Sequence, residues 1–138
     1  MGVERDEELD RIKDRMMERL MRPPDPGPWV DGAVLELDAS SFDAAMRKAA
    51  GPVLVDFWAD WCAPCRVMKP VVEAMARDYA GRAHFAKVDV QRYQGLARRF
   101  GVMSIPNFIV FKNGRPVGQV VGSVGKQGLE SLLRRHLA

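Results

Sequence analysis

The chain has 138 residues, 47% of them apolar, and carries a net charge of +3 with a pI of about 9.1. This length is enough for one domain with a full hydrophobic core, and the apolar content is ordinary for a globular protein. The basic excess is mild, and its densest cluster, Arg134-Arg135-His136, is better explained by cations at the negative end of a helix than by a nucleic-acid-binding patch.

The sequence has no apolar stretch long enough to span a membrane, and its charged N-terminus lacks the apolar core of a secretory signal. We therefore expect a cytoplasmic protein without a membrane or nucleic-acid partner. In a reducing compartment, a close pair of cysteines is more often redox-active than a permanent bridge.

The first segment, from about Glu4 to Arg22, is predicted to form an amphipathic helix, because apolar residues recur at three- and four-residue steps. These residues are Leu9, Ile12, Met16 and Leu20, with Met17 and Met21 beside them. The dense prolines of residues 23–28 then favour a semi-stiff linker. We predict two parts, residues 1–28 as helix and linker and residues 29–138 as a domain. Because a lone helix would leave its apolar side chains in water, we expect it to pack on its own domain, on a second copy or on a partner.

Beyond the linker, predicted strands and helices alternate. The strands cover residues 34–37, 53–58, 84–90, 107–112 and 117–121; the helices run from Ser40 or Ser41 to about 50, then over 62–79 with a kink at Pro70, 93–100 and 125–137. Asn113-Gly114 is a strong signal for a two-residue hairpin turn. This order predicts an α/β fold with a central, mixed five-stranded sheet flanked by four helices, plus the N-terminal helix.

Both cysteines of the chain lie in Asp60-Trp61-Cys62-Ala63-Pro64-Cys65, directly after the apolar strand 53–58. Two thiols at the start of a helix can close a disulfide across one turn. The unpaired N–H groups and the positive end of the helix dipole at this position also stabilise a thiolate on the first cysteine. Reversible redox chemistry is therefore the interpretation that we favour.

Three other interpretations of the cysteine pair are weaker. A structural zinc site needs four ligands, and the only histidines, His84 and His136, lie in different elements. A purely structural disulfide over so short a loop would remove little entropy from the unfolded chain. Two inert, buried thiols fit poorly with Trp61 and Pro64, which indicate a tight and partly exposed turn.

Asp56 is the only polar residue in the apolar strand 53–58. A buried carboxylate is costly unless it is neutralised or paired, so we expect burial to raise its pKa. An aspartate that faces solvent or bonds to the backbone is the alternative. Lys87 likewise interrupts the apolar run 84–90, where it could extend its ammonium to solvent.

The chain resembles the thioredoxin family in several segments that follow the family's order and spacing. These are residues 55–65, Ala86-Lys87-Val88-Asp89, Ile105-Pro106, Phe111-Lys112-Asn113-Gly114 and Val121-Gly122. The resemblance runs from about residue 34 to the C-terminus and leaves out the N-terminal helix and linker. It implies a thioredoxin fold and a protein-disulfide reductase that acts on protein substrates. It also implies that no bound cofactor or metal is needed and that a separate thioredoxin reductase supplies electrons.

The order of the two cysteines suggests their roles. Cys62, at the helix start, would attack a substrate disulfide, and Cys65 would then attack the Cys62 sulfur and release the reduced substrate. The resemblance makes Asp56 the general base for Cys65, directly or through a water, and pairs Lys87 with Asp56.

The resemblance also assigns the substrate-binding surface. Ile105-Pro106 matches the family's cis-proline loop, although only about 5–6% of X-Pro bonds are cis in general. The backbone of Ile105 would pair with an extended substrate segment. A flat apolar surface around Cys62 would be formed by Trp61, Ala63, Pro64, Ile105, Pro106, Val121 and Gly122.

Three residues depart from the family pattern. Ala63 occupies a position where the family most often has Gly, and Ser104 and Asn107 flank Ile105-Pro106 where Gly and Thr are frequent. Asn107 could add a hydrogen bond near the thiols. These departures leave the predicted fold unchanged, but the redox potential and the choice of substrate do not follow from the resemblance.

Two other functions remain open. An oxidase or isomerase of the same fold would favour a more polar or His-containing pair between the cysteines than Ala63-Pro64, and usually a secretory signal. A partner-binding adaptor would use the N-terminal helix and leave the thiols incidental.

Overall fold

The computed structural model describes residues 2–21 and 27–137. Its elements are α1 (Gly2–Met21), β1 (Val34–Glu36), α2 (Phe42–Lys48), β2 (Val53–Trp58), α3 (Ala63–Asp78), β3 (His84–Asp89), α4 (Gln94–Arg99), β4 (Asn107–Lys112), β5 (Arg115–Val121) and α5 (Gly125–Arg134). Every predicted helix and strand is present; β2 and β4 have the predicted ends, and the others are shifted at one or both ends. The largest shift is at α5, which ends at Arg134 rather than near residue 137.

The five strands form one mixed sheet in the order β1-β3-β2-β4-β5. β3 pairs in parallel with β1 and β2, whereas β4 pairs antiparallel with β2 and β5. The central strand β2 is buried along nearly its whole length, which explains its almost continuous apolar sequence. The predicted α/β fold is confirmed.

Helices cover both faces of this sheet, and β2 contributes to both cores. Alternate residues of a strand point to opposite faces. Val53, Val55 and Phe57 pack with α2 and α4, whereas Leu54 packs with α3 and α5. Asp56 therefore points to the face that α3 covers, and this alternation places a carboxylate beneath the helix that begins at the cysteines.

The hairpin between β4 and β5 is confirmed. Asn113 and Gly114 have φ angles of 54° and 77°, the left-handed conformations that a type I′ turn requires. β5 begins at Arg115, two residues earlier than predicted, and contains Pro116 opposite Phe111. Proline is tolerated because β5 is an edge strand.

Ser41, one of the two serines predicted to cap α2, is its N-cap residue, but its side chain accepts no hydrogen bond from a helix N–H group. Instead, Oδ1 of Asp38 accepts hydrogen bonds from the backbone N–H groups of Ser40 and Ser41, at 2.9 and 2.8 Å. The turn before α2 is thus organised by an aspartate, a residue type that commonly bonds to the backbone shortly after it.

Trp29 ties the start of the domain to its core, a role that the sequence analysis did not foresee. The side chain is buried, its Nε1 donates to the carbonyl oxygen of Ala45 at 2.8 Å, and its ring stacks on His84 with centroids 4.8 Å apart. The two-part division at residue 28 stays a prediction, since residues 22–26 of the expected linker lie outside the described part.

Helix α1 does not bury its apolar stripe on the domain. Every side chain described from Asp6 to Met21 is exposed, and Leu20 is 83% exposed. Of the three alternatives that the sequence left open, packing of α1 on its own domain is not seen among the described residues. None of the helices in the described ranges has the length and apolar character needed to cross a membrane.

Candidate active site

Cys62 and Cys65 form a disulfide at the start of α3, with Cα atoms 5.2 Å apart. Cys62 is the N-cap residue, and its Sγ accepts a hydrogen bond from the backbone N–H of Cys65 at 3.2 Å. Pro64 lies in the first turn, where its missing N–H removes no helix hydrogen bond. In the reduced protein, the same N–H group and the helix dipole would stabilise a thiolate at Cys62.

Both sulfur-bearing side chains are buried, while their neighbours are not. Cys62 is 4% and Cys65 is 3% exposed, so exposure does not distinguish the two cysteines in the disulfide form. Trp61 is 66% exposed, and Ala63 and Pro64 are also exposed. What distinguishes the two cysteines is hydrogen bonding, since Cys62 accepts the N–H bond.

Asp56 lies in a cleft beside the disulfide. Asp56 and Cys65 both line this cleft of about 310 Å³, together with Trp58 and the cations Arg66, Lys69 and Lys87. Asp56 is only 6% exposed, and its Oδ1 has no hydrogen-bond partner. Burial raises the pKa of Asp56 to about 7, against the opposing charge of Lys87. The direction is the one that the sequence predicts.

Lys87 influences Asp56 without forming an ion pair with it. The two residues are directly opposite each other on the parallel strands β2 and β3, but the ion pairs found among the described residues do not include them. The Lys87 ammonium lies 5.1 Å from the centroid of the Trp58 ring. The expected pairing therefore takes the form of a longer-range attraction.

The loop before β4 contains a cis peptide bond between Ile105 and Pro106, as expected. The carbonyl oxygen of Pro106 accepts a hydrogen bond from the N–H of Gly122 at 2.8 Å, which links this loop to the end of β5. Pro106 is buried, whereas Ile105 and Gly122 are partly exposed and Val121 is exposed.

The family model for thioredoxin matches residues 33–135. The chain belongs to the thioredoxin family. Thioredoxins from Staphylococcus saprophyticus and Staphylococcus haemolyticus are 45% and 46% identical to it over 105 residues, which cover 76% of this chain and 99% of each relative. A solved thioredoxin mutant from Halobacterium salinarum superposes with a TM-score of 0.73 at 33% identity, covering 81% of this chain and 97% of that one.

With its cysteine pair at the position of the family's active site, this thioredoxin-family protein is a thiol–disulfide oxidoreductase. The described residues contain no cluster of three or more His, Cys, Asp or Glu side chains that could hold a metal ion.

One departure from the thioredoxin pattern has a structural rather than a chemical explanation. Asn107 is buried, and its Oδ1 accepts a hydrogen bond from the Gln119 side-chain amide at 2.9 Å. Asn107 thus bridges β4 and β5, and the hydrogen bond found for its side chain among the described residues is to Gln119 rather than near the thiols. Ser104 is exposed beside the loop.

A groove next to Trp61 includes residues that the sequence analysis missed. Trp61 and Ile105 line it together with Gln94 and Arg98 of α4 and with Met103, which is 95% exposed. In the sequence, Met103 lies two residues before Ile105 and could have indicated this groove, because flexible apolar side chains on a surface often contact partners. Lys69, in the Asp56 cleft, was also missed and has no sequence signal apart from its position one turn after Cys65.

Proposed function

We propose that this protein is a reductase of protein disulfides that carries electrons in the cytoplasm by cycling Cys62 and Cys65 between dithiol and disulfide. The observation that supports it most is the hydrogen bond from the Cys65 N–H to the Cys62 Sγ at the start of α3. A donor aimed at one sulfur favours ionisation of that thiol over the other.

In the first step, the Cys62 thiolate attacks one sulfur of a substrate disulfide. A bond forms between the Cys62 sulfur and that sulfur, the substrate S–S bond breaks, and the other substrate sulfur leaves as a thiolate. The product is a mixed disulfide between the protein and its substrate.

In the second step, Cys65 loses its proton and attacks the Cys62 sulfur. The Cys62–Cys65 bond forms, the mixed disulfide breaks, and the second substrate thiol is released, so that two electrons have moved from protein to substrate. Asp56 is the base that we assign to the Cys65 proton, because both residues line one cleft and the pKa of Asp56 is raised by burial to about 7.

Substrate recognition uses the exposed surface around the disulfide. An extended substrate segment would pair with the backbone of Ile105, and its side chains would contact the apolar residues around Cys62. The contacting set comprises Trp61, Ala63, Pro64, Ile105, Pro106, Val121 and Gly122. A separate thioredoxin reductase would return the protein to the dithiol, and no bound cofactor takes part in the exchange.

Serine variants of the two cysteines test this mechanism. Cys62→Ser and Cys65→Ser should both lose the reduction of insulin disulfides. Only Cys65→Ser should trap target proteins as a covalent complex that reductant releases, because it retains the attacking thiol and lacks the resolving one. Trapping by Cys62→Ser alone would reverse the assignment of roles.

The redox potential separates a reductase from an oxidase or isomerase of the same fold. Thioredoxins have potentials of about −270 mV, and we expect a value near this family figure from equilibration with glutathione. A value near about −120 mV, as for a strong oxidant, would contradict the reductase function.

A further inference from the structure

Helix α1 exposes an apolar stripe that nothing in the described chain covers. The large apolar side chains described between Asp6 and Met21 are all at least 47% exposed, and they are Leu9, Ile12, Met16, Met17, Leu20 and Met21. An isolated helix of this length is only marginally stable in water, so a covering surface is needed to maintain it.

The charges of α1 are divided along its length. Residues 2–10 carry five acidic side chains and one basic one, whereas residues 11–21 carry four basic and two acidic ones. The helix dipole favours such a division only within the first and last turns. Here it extends into the middle, where Asp10 is followed by Arg11, Lys13 and Arg15. A second α1 that runs in the opposite direction would place each acidic half beside a basic half.

The apolar residues fit the same antiparallel arrangement. If Leu9 of one copy lies opposite Leu20 of the second copy, Ile12 of the first copy lies opposite Met17 of the second and next to Met16 of the second. Glu8 and Arg19 are about three turns apart and therefore lie on the same side of the helix. In an antiparallel pair related by a two-fold axis, equivalent sides of the two helices meet, so Glu8 of each copy lies near Arg19 of the other.

We propose that α1 pairs with α1 of a second copy as an antiparallel, two-stranded helix pair. A parallel pair would bring the acidic halves together. An anionic membrane is a poorer occupant, because helices that lie on membranes are rich in Lys and Arg on the polar face, whereas α1 carries seven acidic and five basic side chains. This pairing uses no residue of the Cys62 site, so its test does not depend on whether the protein has the proposed redox activity.

Sedimentation velocity of the full-length protein under reducing conditions tests the pairing. Over a roughly hundredfold range of concentration, the mass should rise from one chain towards two. The variant Leu9→Ser/Leu20→Ser should remain a monomer throughout. The matched control is Arg11→Ser/Glu18→Ser, which introduces the same residue twice on the opposite face of α1 and leaves the net charge unchanged. It should dimerise like the unmodified protein.

Charge reversal tests the orientation. In an antiparallel pair, Glu8→Arg or Arg19→Glu alone places like charges together and should weaken dimerisation about three- to tenfold. The double variant Glu8→Arg/Arg19→Glu should restore it, because the opposite charges are again adjacent. In a parallel pair each acidic half would lie beside the acidic half of the partner, so Glu8→Arg alone would strengthen dimerisation, and that result would overturn the antiparallel arrangement.

Two further outcomes would overturn the pairing itself. One is a single chain at every concentration. The other is a dimer that Leu9→Ser/Leu20→Ser leaves unchanged, since the stripe would then not be the interface. The protein could instead be a monomer that binds vesicles containing phosphatidylserine. If Leu9→Ser/Leu20→Ser abolishes that binding, the stripe is a membrane-binding surface and the pairing is wrong.

Discussion

Asp56 and Lys87 are directly opposite each other on β2 and β3, yet the ammonium of Lys87 lies over the Trp58 ring, 5.1 Å from its centroid, instead of forming an ion pair with the carboxylate. The lysine thus offsets only part of the cost of burying Asp56. Because the pKa of Asp56 is raised to about 7, this carboxyl group can take up and release a proton near neutral pH.

The first prediction concerns stability and pH. Burial raises the pKa of Asp56 from its ordinary value of 3.8 to about 7, so between these values the folded state binds more protons than the unfolded state. Stability should therefore fall as pH rises through this window, and the full penalty should persist above about pH 7. At pH 8 we expect Asp56→Asn to be more stable than the unmodified protein by roughly 2–4 kcal/mol. Denaturant unfolding of the oxidised forms from pH 4 to pH 9 measures this difference.

The matched control for stability is Asp60→Asn, which removes an exposed carboxylate that lines the same cleft. It should change stability by less than about 0.5 kcal/mol at every pH. If Asp56→Asn gives no more stability at pH 8 than at pH 4, the raised pKa of Asp56 is wrong.

The second prediction concerns the resolving step. If Asp56 takes the Cys65 proton, Asp56→Asn should slow release of substrate from the mixed disulfide by about tenfold or more at pH 7, since general-base catalysis commonly contributes that much. Single-turnover kinetics with quenching and mass spectrometry would show the mixed disulfide accumulating. With Asp56 as the base, the rate of this step should also change with pH around pH 7, and the variant should lose that pH dependence. If Asp56→Asn changes neither the rate nor its pH dependence, Asp56 is not the base.

The third prediction separates the two lysines of the cleft. Lys87→Met should raise the pKa of Asp56 further, because the positive charge that lowers it has been removed. Lys69→Met removes a charge from the same cleft, but Lys69 does not contribute to the Asp56 shift, so its effect should be smaller. NMR titration of the Asp56 carboxyl carbon measures both, and equal shifts would show that Lys87 has no special role.

The fourth prediction concerns substrate binding by Trp61. Trp61→Ala should raise the KM for a protein disulfide about tenfold, since a truncated aromatic contact often costs one to two kcal/mol. Reaction with a small aromatic disulfide should change little. Val67→Ala is the control, because Val67 is similarly exposed, at 64% against 66% for Trp61, and does not line the groove. Equal effects of the two variants would argue against a substrate contact.

The fifth prediction concerns Trp29. Trp29→Ala should destabilise the protein by about 3–5 kcal/mol, as large-to-small changes in a core do. Trp29→Phe should cost less, because it keeps an aromatic ring beside His84 and loses the bond to Ala45 and only part of the buried ring volume. Denaturant unfolding at neutral pH compares them, and a loss below about 1 kcal/mol for Trp29→Ala would contradict an anchoring role.

Local patterns predicted much of this molecule. A single acid in an apolar run of six residues identified Asp56 as buried, and strand alternation explains why it faces α3. The turn Asn113-Gly114 fixed the final hairpin, because few residues adopt two successive left-handed conformations. The resemblance to the family supplied the cis bond before Pro106, which general frequencies would not have predicted.

Features that depend on distant contacts were harder to predict. The position of the Lys87 ammonium depends on the Trp58 ring, and the burial of Trp29 depends on His84, which is far away in the sequence. The stripe of α1 shows which side chains could be buried, but periodicity within one helix contains no information on the surface that covers them. The turn at Asp38 was missed because two serines nearer to α2 offered the same type of signal.

Alkylation of the reduced protein is the most direct test of the central claim that Cys62 carries the reactive thiolate. Iodoacetamide at neutral pH, followed by peptide mass spectrometry over time, should label Cys62 first and rapidly, while Cys65 stays largely unmodified. Labelling of Cys65 before Cys62, or of neither thiol in the folded protein, would contradict the account.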